Sequence, residues 1–209
     1  FRDDIMNKNG REKTMEKHLI FTGADGSDCS AIIKTALGDK LACAGGYVTE
    51  AAYAPDGRVS GYALLPAAGA AGVAGYEAEE FLRCGEPRWT HDSEVFRSEG
   101  ARLLQEAQYY PFAVADAFGG FDLIIPQFRE ALLDALNADT PLIGVLVGED
   151  AGEELRRRLG LGEKYTAYRR ALRAALENDA QTRLAEVRAA GDPAAARLAA
   201  QWAAEYAVG

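Results

Sequence analysis

Two short, uninterrupted apolar runs constrain the fold of this chain most. His18–Thr22 leads into Gly23, and Leu142–Val147 reads LIGVLV without a polar break. A strand that is apolar at every position must be covered on both faces, as happens inside a parallel sheet flanked by helices. Helical apolar patterns follow both runs. The sequence therefore predicts an α/β fold of three layers around a mixed, mostly parallel sheet.

The chain between and beyond these runs supplies further predicted elements. Gly46–Ala54 and Arg58–Leu65 are strand-like and are separated by Pro55-Asp56-Gly57, which predicts a β-hairpin. Apolar periodicity predicts helices over 30–37, 77–83, 95–108, 127–136 and 149–159, a strand over 112–115 and a flexible loop over 67–75.

Three segments are expected along the 209 residues. Residues 1–16 lack periodicity and are predicted to be a flexible N-terminal extension, with Met15 as a candidate natural start. Residues 17–161 form the α/β domain. Residues 162–209 are predicted to be a C-terminal helical hairpin, whose apolar stripes contain Tyr165, Tyr168, Leu172, Leu176, Ala194, Leu198, Trp202 and Tyr206. The stripes either pack on the domain or form a surface for a homodimer or a protein partner.

Composition excludes several classes of function. The net charge of −9 argues against nucleic acid as a partner, because nucleic-acid binding depends on Lys and Arg neutralising phosphates. No apolar run reaches the roughly 18 residues of a membrane span, so no membrane partner is expected. The three cysteines, Cys29, Cys43 and Cys84, have no CxxC spacing. They predict neither disulfides nor a zinc site, and a cytoplasmic location is expected.

The loop after the first apolar run has the spacing of a phosphate-binding loop. In a working P-loop, GxxxxGK[ST], glycine N–H groups surround the phosphates, the lysine neutralises their charge and the hydroxyl binds Mg²⁺. Here an aspartate stands at the last glycine position and a cysteine at the lysine position, which makes it a degenerate Walker A motif. The candidate ligand-binding residues are Gly23, Gly26, Ser27, Asp28, Cys29 and Ser30. A Gly/Asp turn that caps a helix would also explain the spacing.

Three later motifs resemble a known family when they are taken together with this loop. They are Gly46-Tyr47-Val48-Thr49-Glu50, Gly57-Arg58-Val59-Ser60-Gly61-Tyr62 and Val114–Leu123. Their order and spacing are similar to those of the small P-loop nucleoside-triphosphatases of the cancer-related type, over residues 17–150. The resemblance implies a P-loop NTPase-like fold, a nucleoside triphosphate as ligand, and Mg²⁺ held by Ser30 and Asp116.

The departures from the family pattern argue against efficient hydrolysis. The glutamate that follows the family's Walker B aspartate is Ala117 here, and alanine can neither accept a proton nor orient water. Exchanging the loop lysine for a nearby carboxylate replaces an attraction of about 3 kcal/mol by a repulsion. The resemblance thus implies a hydrolysis-deficient protein that acts by binding or assembly, with at most weak affinity for ATP or GTP with Mg²⁺.

The alternative is an active but divergent phosphohydrolase that uses a relocated cation. Lys34 lies one helical turn beyond Ser30, and Lys17, Lys40 or an arginine of a partner subunit are further candidates. Asp28 also has a structural interpretation, as an N-cap whose carboxylate takes the place of a phosphate.

Other residues have a functional and a structural interpretation each. The Cys29 thiol at a helix N-terminus is either reactive or simply buried. Trp89 and Tyr109-Tyr110 either stack on a base or belong to the core. Glu50 and Asp122 either face the cleft or cap turns.

Overall fold

The computed structural model describes residues 16–23, 26–85 and 88–207, with residues 26–28 described by their backbone alone. The predicted N-terminal extension, up to Met15, lies outside the described residues, as do Ala24 and Asp25 of the glycine-rich loop. In the described part of the chain, no helix is long and apolar enough to cross a membrane.

Within the described residues, eight strands form one sheet in the order β5-β4-β3-β2-β6-β7-β1-β8. The strands are β1 His18–Gly23, β2 Gly45–Tyr53, β3 Val59–Pro66, β4 Glu79–Arg83, β5 Thr90–His91, β6 Ala113–Phe118, β7 Leu142–Leu146 and β8 Thr182–Val187. The neighbours in the series β2-β6-β7-β1-β8 pair in parallel. The neighbours in the series β5-β4-β3-β2 pair antiparallel. The predicted mixed, mostly parallel sheet is confirmed, with β7 and β1 as buried interior strands on its parallel side.

Helices cover both faces of the sheet. They are α1 Gly26–Leu37, α2 Ala67–Ala70, α3 Ser93–Val95, α4 Ala101–Glu106, α5 Pro126–Asn137, α6 Glu149–Leu159, α7 Glu163–Asn178 and α8 Pro193–Tyr206. A π turn, Phe96–Gly100, joins α3 to α4, and 3-10 turns lie at Gly38–Cys43, Ala107–Tyr109 and Phe121–Ile124. As predicted, α6 ends at Gly160, whose left-handed φ of 66° suits glycine.

Two apolar cores separate the three layers. On one face α4, α5 and α7 pack around aromatic rings, with Phe96 in edge contact with Phe81 and Phe128 at centroid distances of 4.9 and 4.8 Å. On the other face α1 and α8 pack together, and Trp202 meets Phe112. Both faces of the interior strands β1 and β7 are therefore covered by apolar side chains, which explains their uninterrupted apolar sequences.

The helix predicted over residues 77–83 is wrong, because Glu79–Arg83 forms strand β4. Seven residues are too few for a helix to be stable by itself. The open edge of β3 offers backbone hydrogen-bond partners instead, and β4 pairs with it antiparallel. The loop predicted over 67–75 likewise begins with the short helix α2, in which Ala67 is fully buried.

The predicted C-terminal helical hairpin is also wrong. Strand β8 lies between α7 and α8 and pairs in parallel with β1, from His18 opposite Thr182 to Gly23 opposite Val187. Because the chain crosses the sheet edge at β8, α7 and α8 pack on opposite faces. Residues after 161 thus extend the same sheet. Their buried stripes serve the chain's own core, and a homodimer or partner contact through the outer faces of these helices stays a prediction.

Gly23 provides a test of the β8 placement. A Cβ atom on residue 23 would lie 2.6 Å from the carbonyl oxygen of Val187, so Gly23→Ala must displace β8. We expect a loss of about 1–3 kcal/mol in the free energy of unfolding, measured by urea denaturation. The control is Gly162→Ala, where a Cβ meets nothing within 4 Å and the loss should stay below about 1 kcal/mol. Equal losses in the two variants would contradict the placement.

Candidate functional site

A cavity of about 550 Å³ lies at the carboxyl ends of β2, β6 and β7. Its walls include residues of α1, the second half of β2, the chain that follows β6 and β7, and α6. Open α/β sheets bind their ligands at this edge, and the volume is within the range of small-molecule sites. The cavity is therefore the candidate functional site.

Asp116 lies beside this cavity and joins three elements, β6, α1 and β2. Its carboxylate is 1% exposed. One oxygen, Oδ1, accepts a hydrogen bond from Ser30 Oγ at 2.5 Å, and the other, Oδ2, accepts bonds from Thr49 N at 3.1 Å and Thr49 Oγ1 at 3.3 Å. Burial raises the pKa of Asp116, while the bonds from Ser30 and Thr49 and the charge of Lys34 act in the opposite direction. The structure thus brings together the two residues predicted to hold Mg²⁺.

Ala117 follows this carboxylate in a bulge at the end of β6. The register between β6 and β7 shifts between Ala115 and Phe118, and Ala117 has a positive φ of 58°. A left-handed conformation costs a residue with a Cβ about 1–2 kcal/mol, so the surrounding structure must impose it. Ala117 lines the cavity with a methyl group. At the position where the resembled family has a glutamate, this chain therefore has no proton acceptor.

Of the three lysines considered as replacement cations, Lys34 is the one that lines the cavity. Its ammonium donates to the carbonyl oxygen of Thr49 at 3.1 Å and lies close enough to influence Asp116. Lys17 donates to the carbonyl of Ala138, and Lys40 to that of Ala203, both away from the cavity. The candidate site therefore contains one lysine among these three, Lys34.

The glycine-rich loop differs from its predicted form in two respects. Helix α1 already begins at Gly26, so Asp28 is its third residue, and the prediction of Asp28 as N-cap is wrong. Gly26 and Ser27 have helical backbone, so the helix starts two residues before Asp28. The side chains of residues 26–28 are not described. Cys29 is fully buried in the core between α1 and α8, which fits the structural interpretation. Gly23 is needed for the close approach of β8.

Asp122 is a second buried carboxylate on the cavity wall. It is 2% exposed and accepts a hydrogen bond from Gly119 N at 2.9 Å, so it both faces the cavity and caps a turn. Burial raises its pKa to about 7, and hydrogen bonds from Gly119 N and the charge of Arg169 act in the opposite direction. Arg169 on α7 donates to the carbonyls of Val147 and Gly148 and so ties α7 to the loop that follows β7.

Aromatic side chains line the end of the cavity that extends over β3 and β4. They are Tyr53, Tyr62, Phe81, Trp89, Phe96 and Phe121. Trp89, for which stacking on a base and a place in the core both stay open, lies here and packs against the core. Tyr109 and Tyr110 do not, since they precede β6 at the opposite edge of the sheet. No short pattern identifies Phe81 as a wall residue, because the apolar spacing of its segment predicts a helix.

The residues present suit only a metal ion that arrives with a ligand. Among the described residues, no group of three or more His, Cys, Asp or Glu side chains could hold a metal ion. Mg²⁺ is commonly bound by one or two protein oxygens together with substrate phosphates and water. Ser30 and Asp116 meet that requirement, but they do not form a metal site of their own.

Comparisons with known proteins give similarity only at the level of solved structures. No protein-family model matches the chain, and no curated protein matches it. THEP1 from the hyperthermophile Aquifex aeolicus is 15% identical, with a TM-score of 0.47, over 77% of this chain and 99% of that one. A human cancer-related nucleoside triphosphatase is 16% identical, with the same TM-score of 0.47, over 78% of this chain and 98% of that one. Likenesses this low carry no argument about what the present chain binds or does.

The raised pKa of Asp122 predicts a pH-dependent contribution to stability. The pKa of Asp122 is about 7 in the folded state and 3.8 ordinarily. Below pH 4 the carboxyl is protonated in the folded and the unfolded state, and the free energy of unfolding is highest. As the pH rises toward 7 the unfolded state releases this proton first, so the free energy of unfolding falls. Asparagine stays neutral and still accepts from Gly119 N. We expect Asp122→Asn to gain up to about 4 kcal/mol relative to wild type between pH 4 and 7.5, measured by urea denaturation.

The matched control for this measurement is Asp134→Asn, at an exposed position on α5. Its stability relative to wild type should stay constant over the same pH range. A constant difference for Asp122→Asn as well would contradict the placement of Asp122 as a buried, hard-to-ionise group.

Proposed function

We propose that this chain is a P-loop NTPase-like protein that binds a nucleotide weakly, does not hydrolyse it efficiently, and acts by binding or assembly. The observation that carries the proposal is the methyl group of Ala117 directly after Asp116. Ser30 and Asp116, the residues we propose for the phosphate and Mg²⁺ contacts, are hydrogen-bonded to each other, whereas Ala117 offers no group that would activate water.

The proposed phosphate contacts rest on helix α1 and the strand before it. The N-terminus of α1 follows β1 directly, and a helix N-terminus favours anions through its free N–H groups and its dipole. Ser30 and Asp116 would hold Mg²⁺, which when bound neutralises phosphate charge. Affinity should be weak, because Cys29 takes the lysine position and its side chain is buried.

The ammonium group of Lys34 already interacts with other groups of the protein. Its ammonium is bonded to the carbonyl of Thr49 and faces Asp116, so a phosphate would have to compete with both. Phosphoryl transfer depends on positioning and on neutralising charge in the transition state. A cation shared in this way supports binding better than catalysis.

The second candidate function is a divergent phosphohydrolase, and the same lysine favours it. Lys34 lines the cavity, and Asp122 on the opposite wall has a pKa of about 7, which suits a general base at neutral pH. In this version Lys34 neutralises the phosphate and Asp122 replaces the missing glutamate. The two candidates differ in one measurable quantity, the rate of phosphate release.

Thermal-shift and phosphate-release assays with ATP or GTP and Mg²⁺ test both candidates. We expect nucleotide at millimolar concentration to raise the melting temperature, since a ligand at 100 times its Kd adds about 2.7 kcal/mol. The shift should disappear in Ser30→Ala and shrink in Lys34→Gln. Lys40→Gln is the control, because Lys40 lies away from the cavity and should leave the shift unchanged.

Phosphate release should stay at the level of the blank in all these proteins. Release at ordinary NTPase rates that Lys34→Gln abolishes and Lys40→Gln leaves intact would favour the phosphohydrolase instead. The absence of any thermal shift would contradict both candidates.

The proposed location is the cytoplasm. Among the described residues, Cys29, Cys43 and Cys84 form no disulfide, which fits a reducing compartment.

A further inference from the structure

We propose that helix α7 positions two walls of the candidate site through Tyr165 and Arg169, a pair of side chains that we call the α7 clamp. The clamp holds the loop after β6, residues 119–120, and the loop after β7, residues 147–148. Both loops contribute residues to the cavity wall. The inference deepens the proposed function, because its consequence for nucleotide affinity rests on that function. The clamp itself rests on contacts within the chain and is tested without a nucleotide.

Arg169 holds the loop after β7 and the start of α6. Its guanidinium donates to the carbonyl oxygens of Val147 at 3.1 Å, Gly148 at 2.9 Å and Glu149 at 3.5 Å. The side chain is 13% exposed, so its charge depends on these oxygens in place of water. The Glu149 carboxylate lies 3.7 Å away, but it is 81% exposed and contributes little. Hydrogen bonds from one charged group therefore fix this loop against α7.

Gly152 on α6 provides the space for this guanidinium. A Cβ atom on residue 152 would lie 1.6 Å from Arg169 Nη1. Because the obstructing atom belongs to the end of a flexible side chain, Gly152→Ala should displace the guanidinium and leave the backbone of α6 in place. Alanine also forms helices better than glycine. This substitution therefore interrupts the Arg169 contacts without removing the arginine or weakening the helix.

Tyr165 lies one helical turn before Arg169, on the same face of α7, and contacts the loop after β6. Its hydroxyl lies 3.3 Å from the carbonyl oxygen of Gly152 and 3.5 Å from that of Gly119, so its single hydrogen is shared between the two. Burial raises the pKa of Tyr165 to about 12, so the hydroxyl keeps its proton at neutral pH. The clamp thus contacts both loops and α6 from one side.

The two loops are also bonded to each other and to the site. Val147 N donates to the carbonyl oxygen of Phe118 at 2.8 Å, and Gly119 N donates to the Asp122 carboxylate at 2.9 Å. A movement of either loop therefore affects the other loop and the Asp122 side chain. A wall that is ordered before the ligand arrives lowers the entropy cost of binding, so we expect nucleotide affinity to depend on the clamp.

Arg169 also influences the protonation of Asp122. Its positive charge favours the ionised carboxylate and so acts to lower the pKa of Asp122, against the larger effect of burial. Tyr165 on α7 and Tyr47 on β2 also face Asp122, and burial raises the pKa of both hydroxyls, so they stay neutral. Loss of the arginine charge should therefore shift the titration of Asp122 to higher pH.

Backbone order parameters from ¹⁵N NMR relaxation of the full chain, without nucleotide, test the clamp. In wild type we expect about 0.85 at Val147 and Gly119, as for rigid backbone. Arg169→Gln and Gly152→Ala should each lower the value at Val147 toward about 0.6, and Tyr165→Phe should lower the value at Gly119. Because order parameters report motion within the native state, a general loss of stability does not change them.

Arg173→Gln is the matched control. Arg173 lies one turn beyond Arg169 on α7, and its exposed side chain pairs with Glu177 at 2.8 Å. This variant should keep the wild-type order parameters at both loops. Unchanged values at Val147 in both Arg169→Gln and Gly152→Ala, or values lowered equally in Arg173→Gln, would overturn the proposal.

Titration of the Asp122 carboxyl by ¹³C NMR separates the charge of Arg169 from its hydrogen bonds. Arg169→Gln should shift the midpoint to higher pH by about one pH unit. Arg169→Lys keeps the charge and should restore the midpoint. An ammonium lacks the fork of donors that reaches several carbonyls, so the order parameter at Val147 should stay low in this variant. An unchanged midpoint in Arg169→Gln would overturn the influence of Arg169 on Asp122.

Calorimetric titration with ATP and Mg²⁺ then measures the consequence for the site. Arg169→Gln and Gly152→Ala should weaken binding about 3- to 10-fold relative to wild type, and Arg173→Gln should leave it unchanged. Wild-type affinity in variants whose loops have lost order would overturn the role of the clamp in the site. An absence of binding by wild type would instead contradict the proposed function, and the order parameters would still decide whether the clamp holds the loops.

Discussion

One buried carboxylate, that of Asp116, fixes the relative positions of the elements around the site. A carboxylate without water needs hydrogen-bond donors, and here Ser30 on α1 and Thr49 on β2 supply them. Strand β7 lies between β1 and β6, so the bond from Ser30 connects elements that are not neighbours in the sheet. The bulge at Ala117 ends the regular pairing of β6 just after this carboxylate. The position of α1 over the sheet, and with it one wall of the cavity, depends on this interaction.

The cavity has two chemically different ends as a result. Ser30, Thr49 and Lys34 form a polar end beside Asp116, where a phosphate and its metal ion would meet a hydroxyl and a cation. The other end, over β3 and β4, has packed aromatic rings. Helix α7 stabilises the wall between β7 and α6 through Arg169.

Local patterns in the sequence were sufficient for much of the fold. The apolar runs of β1 and β7, the Pro-Asp-Gly turn between β2 and β3, and the periodicity of α5 and α6 each determine their element without distant partners. Strand β4 forms by pairing with β3 across the connection 67–78, and β8 by pairing with β1 near the other end of the described chain, so no short pattern marks either strand. In β8, the exposed side chains Arg183 and Glu186 also hide the strand pattern.

The site was predictable only in part for the same reason. The order of motifs predicts Ser30 and Asp116 as site residues. Lys34 is a candidate cation because it lies one helical turn beyond Ser30. The aromatic wall at Phe81 depends on the pairing of β4 with β3, which no short pattern reveals. The start of α1 at Gly26 depends on backbone conformation in a stretch of glycine, serine and aspartate, where several conformations are open to the chain.

A double-mutant cycle between Ser30 and Asp116 tests most directly whether this carboxylate holds the site together. The free energies of unfolding of wild type, Ser30→Ala, Asp116→Ala and the double variant give the coupling between the two side chains, and effects on Thr49 cancel within the cycle. A coupling of about 1.5–3 kcal/mol is expected for a buried hydrogen bond to a charged group. Losses that simply add, within about 0.5 kcal/mol, would contradict the account.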